Sequence, residues 1–591
     1  MSGSMSSLYI GVSGLATSQN ALNTTAHNLA NIDTKGYTRQ QVILQDNKYQ
    51  TVSTNAVSVN QVGNGAMVQL VRTVRDQFYD KQYRVESGRK GFYDAQYAAV
   101  SEIENVLGET DGEAFQNSLE DMWGAFSELV NDPSNITNRT TAVNTCKVFL
   151  ERAQQIQNQI SDYQQTLNAN ITKQVNRINE IGAQIVELNN AIRMIEASGV
   201  EHANDYRDSR NLLLDELSGI VKISYRELKN GTVTVDIEGV NFVSNDGYMK
   251  MGVAPMNEDS VLLKPVWPEL EQDVFTVLGP YTTNHNTDIG SLKGMLVSRG
   301  DNIADYTAIP IAPDKSKYAN EQDYQKALGK YEQEVDKYNQ TVGCSSIMSF
   351  QAKLDQLVHG IVTSINDILC PNKEIEVEID GVVQKIKVLD EEKAPIGMGE
   401  QNQIPGTELF SRSGMSRYES IEVTMTDKDG NKVTKTVLRY NEENKEDKAS
   451  LYTLSQIQIN EDVIKNVNLL PLNSTTSLGE YDATVVQKIN DMWGKEFATL
   501  DPNTLTKHTF KEYYTALVGE VGSVGNTYGI IAENQQTMVS GIDNSRMQVT
   551  GVSSEEELSN LIKYQHAYNA SSRYINTVSQ MLDSLMNAFF S

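Results

Sequence analysis

Cysteine, basic residues and long apolar runs are all scarce in this 591-residue chain. The three cysteines, Cys146, Cys344 and Cys370, are odd in number and widely spaced, so they predict neither a disulfide framework nor a zinc site. The 50 Lys and Arg residues are scattered and outnumbered by 77 Asp and Glu, and the net charge of −27 argues against nucleic acid as a partner. No segment approaches the roughly 18 consecutive apolar residues that a membrane span needs. We therefore expect no membrane insertion, and no N-terminal pattern of a cleaved secretion signal is visible.

Patterns that support catalysis or metal binding are also missing. The six histidines are dispersed without a His-x-x-x-His pair, and there is no Gly-x-Ser-x-Gly elbow. Gly63-Asn64-Gly65 lacks the third glycine of a dinucleotide fingerprint, and the segment 427–431 lacks the terminal Glu of a calcium loop, so each is interpreted as a turn beside a strand. A glycosidase that works through two distant carboxylates would leave no local pattern. The sequence predicts no enzyme, no cofactor and no metal site.

Proline is absent from three long stretches, which can therefore hold long helices. No proline precedes Pro133, none lies between Pro133 and Pro255, and none follows Pro502. Apolar residues recur in three- and four-residue steps from Ile156 to Ile195, which predicts one helix over about 151–198 with Gly199 as its C-cap. Such a helix would span roughly 70 Å, the length of a rod. Shorter helices are predicted over 93–107 and 115–130.

The apolar period changes near Leu217 from helical steps to alternation. Val221–Tyr225 and Val233–Ile237 alternate around Asn230-Gly231, which is a strong hairpin signal. We predict two β-rich regions, one at about 216–290 and one that runs to about 475 with a turn at Asp380-Gly381. Helices are predicted over 318–340 and 349–369 and again from about 488. A capping box of Ser554 and Glu557 is predicted to begin the last helix.

The two ends of the chain carry almost no charge and yet keep a helical heptad. In both segments the stripe residues alternate three- and four-residue steps, which is typical of a coiled-coil seam. The opposite faces hold Asn, Ser, Thr, Gln and Ala, and such faces suit packing against more protein better than solvent. The stripes are Leu8, Val12, Leu15, Gln19, Leu22, Ala26 and Leu29 in the first segment, and Leu561, Tyr564, Tyr568, Ser571, Ile575, Val578, Leu582, Leu585 and Phe589 in the last.

These patterns predict an α+β multidomain protein in which an elongated, coiled-coil-like helical bundle formed by both termini encloses β-rich inserts. The two ends must meet for the inserts to lie on one axis. The predicted domains are a terminal helical region of 1–45 with 550–591, a long-helix rod domain of 46–215 with 485–549, a β-rich domain of 216–300, a helical connection of 301–370, and a second β-rich, variable domain of 371–484.

A helix end followed by a tight turn is predicted at 28–39. Leu29-Ala30-Asn31 closes the first helix, and the hydroxyl of Thr34 can satisfy polar groups in the turn. Gly36 permits a left-handed exit. Tyr37 and Arg39 can then anchor the segment that follows.

This stretch also resembles a known family. The run from Ser13 to Gln40, with Asn28-Leu29-Ala30-Asn31 and Thr34-Lys35-Gly36-Tyr37-Thr38-Arg39, resembles the N-terminal signature of the bacterial flagellar axial proteins, which comprise rod, hook and hook-associated proteins. The segments 62–65, 75–84, 204–217 and 553–570 resemble the same family. The resemblance covers about 5–300 and 485–591, with little recognised between about 302 and 480. With its long chain and C-terminal motif, the protein is most similar to the hook-associated members.

The resemblance implies an extracellular structural part of the flagellum at the hook–filament junction, exported without a cleaved signal. The terminal helices would pair as the inner wall of a tube, with the β-rich inserts facing outward. The implied partners are other copies of the chain in a ring, the flagellar hook protein, a second hook-associated junction protein, and an export chaperone on the C-terminal helix.

We expect the assembly contacts to lie on the two stripes and in the turn. Three alternatives stay open: a hook or rod axial protein, a secreted coiled-coil adhesin with an inserted domain, and an enzyme domain inserted at 302–480. The expected contact residues are Leu8, Leu15, Leu22, Asn28, Leu29, Asn31, Thr34, Gly36, Tyr37, Arg39, Leu561, Tyr564, Tyr568, Ile575, Val578, Leu582, Leu585 and Phe589.

Overall fold

The computed structural model describes residues 2–54, 58–108, 115–197, 202–257, 260–275, 281–379, 382–426, 432–474 and 483–590. Long helices lie at both ends of the chain, with strand-rich segments between them, so the predicted α+β class is confirmed. The helices are α1 (Ser2–Ala30), α2 (Gln77–Leu107), α3 (Phe115–Asn131), α4 (Ile136–Glu196), α5 (Asn204–Ile220), α6 (Ser291–Arg299), α7 (Glu321–Gln340), α8 (Ser346–Leu369), α9 (Glu461–Lys465), α10 (Thr484–Met492), α11 (Phe510–Thr550) and α12 (Ser554–Phe590).

The strands form small antiparallel sheets. The first two pairs are β1 with β4 and β2 with β3, and they fill the connection from α1 to α2. The strands are β1 (Gln40–Asp46), β2 (Gln50–Thr54), β3 (Val59–Val62), β4 (Ala66–Thr73), β5 (Ile223–Glu227), β6 (Val233–Ile237), β7 (Val240–Val243), β8 (Gly252–Pro255), β9 (Leu263–Trp267), β10 (Gln272–Asp273), β11 (Asn372–Ile379), β12 (Val382–Leu389), β13 (Phe410–Arg412), β14 (Tyr418–Thr426), β15 (Lys432–Tyr440), β16 (Ile457–Ile459), β17 (Ala498–Thr499) and β18 (Lys507–His508).

The longest helix, α4, extends further than predicted. The side chain of Asn135 accepts hydrogen bonds from two backbone N–H groups of the first turn, so the helix begins at Ile136 instead of near Glu151. Its 61 residues span about 90 Å. The apolar stripe from Ile156 to Ile192 is its buried face. The predicted C-cap Gly199 lies outside the described residues.

The rod is built from α2, α3, α4 and α11, which share one apolar core with α8. Buried arginines tie the inserted segments to α4. Arg139 donates from Nε to the Pro133 carbonyl and from NH1 to the Leu470 carbonyl. Arg299 donates to the side chain of Asn168 on α4. Charge buried in this way is tolerated because backbone oxygens and side-chain acceptors surround it.

Two β-rich regions lie where the sequence predicts them. The hairpin of β5 and β6 turns through Asn230-Gly231, where Gly231 has a φ of +82°. Strands β5–β6–β7 and β8–β9–β10 form two three-stranded sheets, and β11, β12, β15 and β14 form a closed four-stranded barrel. The predicted turns at 380–381 and 427–431 lie outside the described residues, although the strands on either side of each pair as hairpins.

The start of α12 differs from its prediction. Ser553, instead of Ser554, precedes the helix and accepts a hydrogen bond at Oγ from the Glu556 N–H. The Glu557 carboxylate does not return to the helix start, since it is bonded to residues of the N-terminal segment. A true capping box begins α11 instead, between Thr509 and Glu512.

Candidate functional site at the paired terminal helices

The first and last helices, α1 and α12, pack against each other, as the ends of the sequence require. The contact on α1 is made by small residues. A Cβ placed on Gly11 would lie 2.6 Å from Ile575 Cγ1, and one on Gly14 would lie 2.8 Å from Ser571 Oγ. The two helix backbones therefore approach more closely than any larger side chain would permit. The buried positions of α1 continue from these glycines in three- and four-residue steps at Ser18, Ala21, Thr25 and Asn28.

The apolar stripe predicted as the α1 seam is not the face that meets α12. It lies one position further along the chain, about 100° around the helix. Its members Val12, Gln19 and Ala26 are exposed, and its leucines are partly exposed. Small residues line the contact with α12 because they let the two helix backbones approach closely. A role in assembly for Leu8, Leu15, Leu22 and Leu29 stays a prediction.

The stripe of α12 behaves as its heptad indicates. Leu561, Tyr564, Tyr568, Ile575 and Leu582 are half-buried and Val578 is buried, whereas most residues between them are exposed. Leu585, near the end of the helix, is 45% exposed. The side chain of Phe589 lies outside the described residues.

We expect Gly11→Ala to loosen this helix pair. The added Cβ forces the side chain of Ile575 to move, and such overpacking costs about 1–3 kcal/mol, of which helix propensity returns at most about 1 kcal/mol. Hydrogen exchange of the α1 amides should accelerate about 5- to 30-fold. Gly541→Ala on α11 is the matched control, because its Cβ would meet no atom within 4 Å. Equal or slower exchange in α1 of the Gly11 variant would contradict the close contact.

The turn after α1 is built as predicted. The backbone N–H of Thr34 donates to the Asn31 carbonyl, and the Thr34 hydroxyl donates to Asn31 Oδ1 at 3.1 Å. Gly36 has a φ of +82° and lies against the side chain of Leu212 on α5. A side chain at Gly36 would be strained in this backbone conformation. The turn directs Tyr37 back towards the helix it has just left.

Asn28 is the centre of a buried hydrogen-bond network. Its Oδ1 accepts from the Tyr37 hydroxyl at 2.7 Å and from the Gln40 backbone N–H at 3.0 Å. Its Nδ2 donates to the Gln40 carbonyl at 2.9 Å and to Glu557 Oε2 at 3.1 Å. The side chain thus closes the turn and joins it to α12. All its polar capacity is used, which is what burial of an amide demands.

Arg39 supplies the charge that Glu557 needs. Its Nε donates to Glu557 Oε1 at 2.7 Å, and its NH2 donates to the exposed Glu556 at 2.9 Å. Its backbone N–H donates to the Thr550 carbonyl at the end of α11. The Glu557 side chain is only 2% exposed, so the ion pair is largely shielded from water. Residues 28–40 and 550–557 are therefore one structural unit.

A second carboxylate, Asp208 of α5, holds the other side of the turn. Its Oδ2 accepts from the Thr38 N–H at 2.9 Å, and Arg75 lies 3.7 Å away. Burial raises the pKa of Asp208 to about 6, against the opposing effect of the hydrogen bond from Thr38. Burial also raises the pKa of Tyr37, helped by Asp205, Asp208 and Glu557.

Further ion pairs extend this cluster to α2 and α11. Arg84 donates to Asp215 Oδ1 at 2.7 Å, and Arg546 donates to Asp215 Oδ2 at 2.6 Å. Arg75 bonds Asp80 at both carboxylate oxygens. The motif segments 75–84, 204–217 and 553–570 thus meet the turn at one corner. Sequence reasoning missed the partnership of Glu557 and Asp208 with the turn, although acids inside low-charge motifs were a usable signal.

The raised pKa of Asp208 predicts a pH dependence. An acid whose folded pKa lies above its unfolded value of 3.8 favours folding below about pH 4, and this stability is lost as the pH rises through about 6. Asp208→Asn should remove this pH dependence, which amounts to up to about 3 kcal/mol in the free energy of unfolding between the two pH limits. The contribution is measured by hydrogen exchange of the Thr38 amide. Variant and wild type are compared at pH about 4 and at pH about 7. The exposed Asp205→Asn should show no such change, and equal pH profiles for wild type and Asp208→Asn would contradict the assignment.

This corner joins several elements of the fold. Most of its charged groups pair with one another, and its hydroxyls and amides bond mainly to groups of the turn. Within the described ranges, no three His, Cys, Asp or Glu side chains are grouped to hold a metal ion. Among those same residues, no helix combines the length and apolarity needed to cross a membrane.

Comparison with known proteins finds similarity to flagellar proteins. Family models match at residues 100–370, described as the flagellar hook-associated protein FlgK helical domain, at 8–38, described as flagella basal body rod protein, and at 544–588, described as the flagellar basal body rod FlgEFG protein C-terminal region. The chain is 26% identical to flagellar hook-associated protein 1 of Bacillus subtilis over 99% of both chains. It is 23% identical to the Escherichia coli protein of the same name over 98% of both. The solved flagellar hook junction protein FlgK of Burkholderia pseudomallei aligns with 79% of this chain and 100% of its own, at 12% identity and a TM-score of 0.49.

Proposed function

We propose, because this chain is a homologue of flagellar hook-associated protein 1, that it is the adaptor that joins the hook of a bacterial flagellum to its filament. It would do so by polymerising into a ring through α1 and α12. Its relatives are structural components of the flagellum, and the match to their helical domain lies in the middle of the chain. The rod-type matches fall on the two helices proposed to assemble.

The observation that carries this proposal is the pair of terminal helices with apolar side chains left uncovered. Ionised side chains would keep such faces in water, but α1 holds no Asp, Glu, Lys or Arg, and α12 holds only three of them after Glu557. Apolar groups on contiguous exposed surface indicate a binding face. The large exposed ones are Tyr9 and Val12 on α1, and Leu558, Ile562, Tyr574, Met581, Leu585 and Met586 on α12.

The proposed arrangement places α1 and α12 along the inner wall of the tube and the β-rich regions outside. In this arrangement Leu8, Leu15, Leu22 and Leu29 contact neighbouring copies. The domain limits predicted from the sequence, including a variable domain at 371–484, belong to the same proposal. Hook protein would contact the ring on one side and the second hook-associated junction protein on the other.

Export completes the proposal. The chain would leave the cell through the flagellar secretion channel without a cleaved signal and work outside the cell. Until then, an export chaperone would cover the C-terminal helix, whose apolar face from Leu558 to Met586 would otherwise be exposed.

The alternative of a hook or rod protein has support of its own, because the two rod-type family models match at the ends. The match to the hook-associated helical domain at 100–370 favours the junction. An adhesin would attach cells to a surface without affecting filaments. Hydrolytic activity in a fragment of residues 302–480 would favour an inserted enzyme.

Deletion of the gene tests the proposal. Cells should assemble hooks, lose motility and release flagellin into the medium, because filament subunits would have no structure at the hook end to which they could attach. A rod or hook protein would instead leave cells without hooks. Imaging of the hook–filament boundary by cryo-electron microscopy should place the chain there. Attached filaments in the deletion strain would reject the junction role.

A further inference from the structure

A cationic cleft lies outside the terminal helices, between α2, β5 and the loop before α6. Its volume is about 310 Å³. Three cations line it, Lys81, Arg84 and Lys222, and no carboxylate of the described ranges does. Such a lining is unexpected in a chain with a net charge of −27. The remaining walls are Val85, Ile223, Ser224, Tyr225, Asn286 and Ile289.

The floor of the cleft holds an unsatisfied donor. Arg84 is only 3% exposed, its Nε is bonded to Asp215 and its NH2 to Asn211, and its guanidinium lies over the ring of Tyr225. Its Nη1 is buried and has no hydrogen-bond partner among the described residues. A buried guanidinium nitrogen without an acceptor is costly, and the negative charge of a carboxylate in the cleft would offset part of that cost.

The rim of the cleft is also available to a ligand. Lys81 and Lys222 make no ion pair within the described part of the chain. Among the carboxylates around the cleft, Asp236 bonds Ser224 and Asn241, and Asp215 bonds two arginines. Glu238, which attracts both Lys222 and Lys293, is half-buried. Apolar walls beside three cations suit a ligand that carries both carboxylates and an apolar side chain.

The chain itself carries such a ligand at the turn from β9 to β10. Glu269, Leu270 and Glu271 are exposed there, Leu270 to 47%. Neither glutamate forms an ion pair within the described ranges, and Glu271 has a φ of +52°, which belongs to a tight turn. Two free carboxylates flanking a leucine match the charge and the apolar walls of the cleft.

We infer that the cleft of one copy accepts the Glu269–Glu271 turn of the next copy. Different surfaces of identical chains then meet head to tail, and contacts of this kind generate rings when the rotation closes. The inference rests on the proposed function, since it supplies a lateral contact for the ring, and it deepens that function by naming both sides of the contact.

A charge swap tests the inference in the full-length chain. Lys81→Glu with Lys222→Glu should reduce the number of attached filaments per cell at least about tenfold, because like charges then face each other. Glu269→Lys with Glu271→Lys should do the same, and all four changes together should restore attachment. Lys173→Glu with Lys330→Glu, on exposed lysines of α4 and α7, is the matched control and should behave as wild type.

Two results would overturn the inference. One is wild-type attachment by the Lys81/Lys222 variant. The other is failure of the fourfold variant to restore attachment when all variants are secreted at the wild-type level. A strain without the gene, tested in parallel, separates the two claims: filaments that persist there reject the proposed function, whereas a failed swap beside a filament-free deletion strain rejects only this contact.

Chemical cross-linking keeps the test independent of filament counts. In a Cys344→Ser background, Lys222→Cys combined with Glu269→Cys should give a ladder of multimers when isolated flagella are treated with a flexible bismaleimide. The other cysteines, Cys146 and Cys370, are buried. Lys330→Cys on α7, combined with Glu269→Cys, should stay monomeric. The absence of a ladder from the Lys222 pair would also overturn the inference.

Discussion

Cells whose chain lacks residues 561–591 will not retain filaments, although the truncated protein will fold. The deletion removes every stripe residue of α12 from Leu561 onwards, so Gly11 and Gly14 of α1 lose the surface against which they pack. It also removes the exposed apolar side chains from Ile562 to Met586, which are proposed to meet neighbouring copies. We therefore expect complete loss of filament attachment, measured as flagellin released into the medium.

The folding half of this prediction has a separate physical basis. The large apolar core of the described residues runs from Ala99 to Val521 and includes no residue of α12. The circular dichroism of the truncated chain should therefore change only by the loss of one helix, and its main thermal transition should stay in place. Wild-type attachment by the truncated chain would refute the assembly role. Collapse of the main transition would instead show that α12 supports the rod.

The second large effect is expected from Glu557→Gln. The substitution removes the charge that pairs with Arg39 and brings an amide N–H₂ against the donor of either Asn28 or Arg39. Loss of one partner from a buried pair costs about 3–5 kcal/mol, and we expect the lower end here because Arg39 is 21% exposed and keeps Glu556 as a partner. Hydrogen exchange in residues 28–40 and 554–575 should accelerate at least about 30-fold.

The neighbouring glutamate provides a matched control. Glu556 contacts the same arginine at 2.9 Å, but its side chain is 59% exposed. Exposed pairs contribute about 1 kcal/mol or less, so Glu556→Gln should alter exchange only a few-fold. Similar effects of the two substitutions would mean that burial of Glu557 is not what strengthens the corner.

Several features of the fold follow from local sequence. The proline-free stretches and the steps from Ile156 to Ile192 predicted α4 and its buried face, because helical periodicity is a property of neighbouring residues. The hairpin at Asn230-Gly231 followed from the turn that these residues favour. The motif segments also indicated the flagellar proteins to which the chain is similar, since these segments are contiguous in the chain.

The predictions that failed, two helix starts and the seam of α1, depended on contacts that the local pattern does not contain. The start of α4 depends on the cap at Asn135. The predicted capping box of Ser554 and Glu557 was wrong because Glu557 is bonded to Asn28 and Arg39. The contact of α1 with α12 lies on small residues because the two backbones approach closely. The sequence of one helix alone does not show how closely its partner approaches. A hydrophobic pattern indicates which residues can be buried but not which neighbour buries them.

The sequence by itself determined the class of the protein, its helical ends, its β-rich inserts and the absence of charge at both termini. Only the tertiary structure decided that Asn28, Arg39 and Glu557 form one unit, that Asp208 holds Thr38, and that Arg84 keeps a nitrogen free in a cationic cleft. The physical reason is the distance along the chain between the residues that interact. Helix and turn formation depends on residues a few positions apart, whereas the partners of a buried charge lie hundreds of positions away and are chosen by how the chain closes on itself.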